Sequence, residues 1–196
     1  MEASIASARA GGAIWMIAVS AAFAAQALTM IGTRAAFVSL AVGLAIAIVL
    51  LIVSIVLLVR ARRERRAIEP AASERRVTMR RFWLVVAAEI VLIAVVNAVS
   101  MAAARPTLIV PLDLLIVGVH FLPLAQIFGV PRYYLTGLAF CAVAIVTLVV
   151  FPDDARIGHG VSRHVVASLG CTTVAWLTAI GNLNEAFRLL PGDRAS

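Results

Sequence analysis

The chain has 196 residues, of which 63% are hydrophobic and 14% charged, with a mean hydropathy of +1.03. A water-soluble domain of this size cannot hide so much apolar surface, so lipid must solvate the outer face. The formal charge of +7 would suit nucleic acid in a soluble protein. Here the cations flank apolar runs, and no aromatic side chain lies between Arg60 and Arg81 to stack on a base, which excludes that partner.

A helix needs about 20 apolar residues to cross the hydrocarbon core. The first predicted span covers 12–31 and the second 35–59, joined by Gly32-Thr33-Arg34 as a tight hairpin. A connection at 60–81 follows, carrying Arg60, Arg62, Arg63, Arg65, Arg66, Arg75, Arg76, Arg80 and Arg81. Its Arg/Glu mixture predicts helical pieces that run to about Ala67 and break near Pro70. The third span covers 82–104. Arg105-Pro106 through Pro111 interrupts the pattern, and the fourth span covers 112–130. Pro131-Arg132-Tyr133-Tyr134 reads as a short turn with interfacial aromatics, before a short fifth span at 135–151. A polar loop from Pro152 to His164 precedes the sixth span at 165–187.

The predicted fold is therefore all-α, a polytopic bundle of six membrane helices. It divides into a hairpin at 12–59, a basic linker at 60–81 and a four-helix unit at 82–187. Six spans put both termini on the side of the basic linker. That side would hold Arg9, the nine linker arginines, Arg132, Arg188 and Arg194, against Arg34, Arg105, Arg156 and Arg163 on the other. The bias predicts cytoplasmic termini. A cleaved signal peptide is disfavoured: Ala22-Phe23-Ala24 has the small-x-small form, but the apolar run continues to Ile31. The absence of Lys among abundant Arg, Ala and Val points to a GC-rich bacterial genome and hence an inner-membrane location.

Ionisable groups inside a span are costly and mark candidate function. Glu89 lies seven residues after Phe82, about 10 Å into the third span, with Asn97 and Ser100 continuing its stripe. His120 sits centrally in the fourth span at a comparable depth, so a Glu89–His120 pair is predicted, and imidazole changes charge most readily near neutral pH. Asp113 falls two turns earlier on nearly the same face. Pro123 removes a backbone hydrogen bond close to the histidine. Asn182 and Glu185 share a face at the inner end of the sixth span, where Glu185 would line an inner mouth beneath Glu89. Each is also readable as a packing residue. Glu89, Asn97, His120 and Glu185 make the predicted polar path, with Asp113, Asn182 and Pro123 secondary.

Arg62, Arg63, Arg65, Arg66, Arg75 and Arg76 are the predicted contacts for anionic lipid headgroups or a cytoplasmic partner. Small residues at Gly43, Ala47, Ser168 and Gly170 argue for a tightly packed bundle or a homo-oligomer without choosing between them. No metal or cofactor is expected. His159, His164, Asp153 and Asp154 lack zinc spacing, and His120 has no second haem ligand. Cys141 and Cys171 read as packing residues within spans. No nucleophile or phosphate-loop motif occurs, so an enzyme ranks below a transporter or channel-like protein and below a non-catalytic membrane subunit.

Gly118-Val-His-Phe-Leu-Pro-Leu-Ala125, then Phe128, Pro131, Tyr133-Tyr134 and Thr136-Gly137, resembles a segment of small bacterial multi-pass membrane proteins of unassigned activity. The resemblance covers about twenty residues of spans four and five. It implies that His120, Pro123 and the two tyrosines form a signature region, and it transfers no activity.

Overall fold

A computed structural model describes residues 2–65 and 72–189. The elements are α1 (Glu2–Ile31), α2 (Arg34–Arg65), α3 (Ala72–Ala102), a 3₁₀ turn (Pro106–Leu108), α4 (Ile109–Phe128), α5 (Arg132–Val150), β1 (Arg156–Ile157), β2 (Gly160–Val161) and α6 (Ser162–Leu189). Each of the six α-helices contains a stretch long and apolar enough to cross a membrane. Only internally hydrogen-bonded backbone is tolerated in hydrocarbon, which is why such apolar runs become helices. The protein is a multi-pass membrane protein built as an all-α bundle.

The helix ends refine the sequence reading. Pro131 through Tyr134 is not a free turn. Pro131 has φ −57° and precedes α5, whose first residue is Arg132, because proline presets the dihedral a helix start needs. The 3₁₀ turn from Pro106 feeds directly into α4 at Ile109, three residues earlier than expected. The polar loop folds into a small antiparallel hairpin, with Arg156 opposite Val161. At the other end of the bundle α2 continues through Arg65 and α3 begins at Ala72, so most of the linker arginines sit on helical extensions. The side chains of Arg62, Arg63, Arg65, Arg75 and Arg76, and all of Arg66, lie outside the described parts.

Two helix ends solve the same problem differently. α4 ends in Gly129 at φ 62°, with the Val130 N–H donating to the Ala125 carbonyl, the left-handed closure that glycine adopts without strain. α3 closes with the same bond pattern, Arg105 N–H to Ser100 carbonyl, but its left-handed residue is Ala104 at φ 55°.

α1 packs most extensively on α6 and next on α2; α4 packs on α5 and α3; α5 and α6 join the two groups. The α6 face at the centre repeats small residues, Ala167, Cys171, Ala175 and Ala179, all buried. Small side chains let helix backbones approach closely where no hydrophobic force draws them together. Gly43 leaves room for the Trp176 ring, and Gly170 receives Val143, so these small residues serve packing within the chain. Between α4 and α5 two glycines meet: a Cβ on Gly118 would lie 2.8 Å from the Gly137 carbonyl, and one on Gly137 2.6 Å from the Gly118 carbonyl. α3 touches chiefly α4 and leaves Leu84, Ile90, Val91, Val95 and Val99 exposed, an apolar surface suited to lipid.

Candidate functional site

The contact between α3 and α4 is a ladder of three pairs. Phe82 meets Phe128 with ring centroids 5.7 Å apart, and Glu89 meets His120. The Asn97 amide lies against the Asp113 carboxyl. Each step of seven or eight residues along α3 matches a step of eight or seven back along α4. That is two helical turns, so all three pairs fall on one antiparallel seam. The helix period thus converts the scattered polar residues of two spans into a single line.

The central rung joins His120 Nδ1 to Glu89 Oε2 at 3.2 Å, with side chains only 9% and 18% exposed. The distance is that of a hydrogen bond, yet Nδ1 has no partner of proper hydrogen-bond geometry. The ring therefore pairs with the carboxyl by proximity. The imidazole also reaches the backbone carbonyl of Val85, one turn before Glu89. Glu89 stands about 16 Å from Thr78 and about 20 Å from Ala102 at 1.5 Å per residue, near mid-span. A carboxylate at that depth is tolerated when a partner compensates it.

The outer rung is different. Asn97 Oδ1 and Asp113 Oδ1 are both buried and both without a hydrogen-bond partner. Ser100 is buried three residues further along the same stripe. At the other end of the seam Phe82 stacks edgewise on Trp83 at 5.4 Å as well as on Phe128, closing it with aromatic rings. Pro123 sits inside α4, which runs without a break from Ile109 to Phe128.

Glu185 belongs elsewhere. Its Oε1 lies 2.7 Å from Arg132 Nη2, which ties the start of α5 to the end of α6. Gly181 sits directly beneath that guanidinium. Asn182, wholly buried, has neither amide atom partnered and faces Gly12 of α1, where the Tyr133 hydroxyl also arrives. The structure thus joins Glu89, His120, Asn97 and Asp113 in one seam and places Asn182 and Glu185 in a second group on α1, α5 and α6. Phe121 lies between the groups, with its ring 6.0 Å from His120 and 5.6 Å from Tyr133. One turn on, Thr136 and Thr178 hydroxyls meet at 3.0 Å across α5 and α6.

Sequence reasoning missed the Arg132–Glu185 bridge, although alternating spans place both residues at the same membrane level. It also missed the glycine crossing, whose signal was one glycine at mid-span in each of two adjacent helices. The opposite end of the bundle is tied by Arg163, which donates to the carbonyls of Phe151 (2.7 Å) and Leu148 (3.0 Å) and pairs with Asp153. His164 Nε2 donates to the Pro106 carbonyl at 3.0 Å, and His159 lies over Gly32. Among the described residues no three His, Cys, Asp or Glu side chains converge as metal ligands.

Fold and site together define a six-helix integral membrane protein with a polar seam through one helix pair. Comparison with protein-family models, curated proteins and solved structures gives no match.

Proposed function

We propose that the protein is a small transporter of a bacterial inner membrane that moves protons or a small cation along the α3–α4 seam. One observation carries this reading: Glu89 and His120, each able to take up and release a proton, touch at mid-membrane where an ordinary packing contact would be apolar. Asn97 and Asp113 extend the polar line toward the end of the bundle opposite the arginines, and Phe82 with Phe128 closes it at the arginine end. The positive-inside bias supports cytoplasmic termini and a cytoplasmic arginine-bearing end. The same arginines, carried on helical extensions of α2 and α3, suit anionic lipid headgroups.

A second reading is favoured by the isolation of α3, which packs chiefly on α4. In it the Glu89–His120 contact is a staple, and the protein is a non-catalytic membrane subunit. Proton flux in proteoliposomes under an imposed pH gradient separates the two. The transport reading expects flux from the wild type, reduced about tenfold or more, some 1.4 kcal/mol of barrier, in Glu89→Gln and in His120→Ala. If all three preparations leak at the rate of protein-free vesicles, both for protons and for sodium or potassium under an imposed gradient, transport is wrong and the staple stands.

A further inference from the structure

Of the six spans, that of α3 is the least embedded. Between Thr78 and Ala102 only Ser100 is buried, whereas the shorter α4 buries seven residues. Ser100 stands beside the elbow that joins α3 to the 3₁₀ turn. Met101 through Pro106 are exposed, and there Ala104 (φ 55°) and Arg105 (φ −121°, ψ 59°) leave the helical range. Past the elbow the chain is fixed. The Pro106 carbonyl accepts from His164 Nε2 at 3.0 Å, and the Thr107 hydroxyl donates to Asp153 at 3.1 Å. One side of the elbow is thus anchored and the elbow itself carries no buried side chain. The other side is an arm held along its length by the three rungs. Polar contacts between membrane helices are weak, and lipid tails replace an apolar neighbour at little cost. A segment with so few buried contacts opens at a far lower free energy than the core.

We propose that α3 is a swinging arm, which pivots about Ser100 and the Ala104–Arg105 elbow and parts from α4 increasingly toward Phe82. Dihedral changes at a few residues that end an element suffice for such a hinge. Phe82 separates furthest from its partner Phe128, Glu89 less from His120, and Asn97 least from Asp113. Leu84 lies sixteen residues from Ser100. That is about 24 Å at 1.5 Å per residue, so a swing of about 15° carries it about 6 Å. The facing sides of α3 and α4 then open laterally at the arginine end, where aromatic rings otherwise close the seam. Such a swing needs no ion to cross the membrane.

The test is a pair of spin-label distances, measured by pulsed electron resonance on the full chain with one copy per lipid nanodisc. Cys141→Ser and Cys171→Ala remove the two free thiols. One label pair, at Leu84→Cys and Leu135→Cys, joins exposed sites near the arginine end of α3 and α5. The other, at Met101→Cys and Val149→Cys, joins exposed sites near the opposite end. The first pair is expected to show a second population at a distance longer by about 5 Å or more, and the second pair a single distance. Glu89→Ala removes the central rung and Phe82→Ala the end rung. Each should raise the longer population about threefold or more and leave the second pair unchanged. A single distance for the first pair, unmoved by either substitution, overturns the proposal. So does equal broadening of both pairs, which would mean that α3 leaves α4 as a whole. A swinging α3 without ion flux sinks the transport reading alone; flux through a protein whose α3 stays fixed sinks the swing alone.

Discussion

The α1–α6–α5–α4 group and the α3–α4 pair cohere by opposite means. In the first, helices approach through small residues: Ala167, Cys171, Ala175 and Ala179 are all buried along α6, and Gly118 meets Gly137 backbone to backbone. Hydroxyls there mostly return to their own helices, as Thr147 does to the Val143 carbonyl at 2.7 Å. In the second, a helix with exposed apolar faces is held by an aromatic pair, a glutamate–histidine contact and an amide–carboxyl contact. Lipid tails are as apolar as leucine, so neither group gains from hydrophobic contact between helices. Close packing therefore dominates the first group, with the Arg132–Glu185 bridge and the Thr136–Thr178 contact added to it, and polar partners dominate the second. The polar mode leaves titratable and acceptor atoms within the apolar lengths of α3 and α4.

That contrast can be broken most sharply at the glycine crossing. Gly137→Ala places a methyl group 2.6 Å from the Gly118 carbonyl and 3.0 Å from Phe121 Cβ, and backbone cannot yield as a side-chain end would. A loss of about 3 kcal/mol is expected, read from unfolding of the purified protein in mixed micelles. A loss near zero would mean that α4 and α5 do not meet there. A smaller effect of opposite sign tests the buried amide of Asn182 inside the close-packed group. Asn182 is fully buried with both amide atoms unpartnered, so Asn182→Leu should raise stability by about 1 kcal/mol, because an unsatisfied polar group is removed at nearly constant volume. A fall in stability would show the amide to be hydrogen-bonded. The smallest expected change is at Ala104, which holds φ 55° at the end of α3. Ala104→Gly should stabilise α3 by about 0.5–1 kcal/mol, measured the same way; no gain would mean that the helix does not close through a left-handed residue.

The six helices were legible because each apolar run is its own signal. The Glu89–His120 contact was legible too, since depth follows from counting residues from a span end and adjacent spans run antiparallel. Asn97 was read on the Glu89 stripe and Asp113 on the His120 stripe, but that they face each other depends on the register of α3 against α4. Glu185 shows where counting fails. Depth along a span does not state azimuth, and the neighbour that Glu185 finds is Arg132 of α5.

Length and apolarity by themselves determined that six segments are helical, because hydrocarbon leaves the backbone no other way to satisfy its N–H and C=O groups. Arginine placement set an expectation for which end faces the cytoplasm. Only the tertiary structure decided lateral order: that α1 lies on α6, that α3 holds to α4, and that Phe121 separates two polar groups. Lateral choice between membrane helices rests on shape at contacts such as Gly118 against Gly137, and shape complementarity belongs to pairs of surfaces that no single span contains.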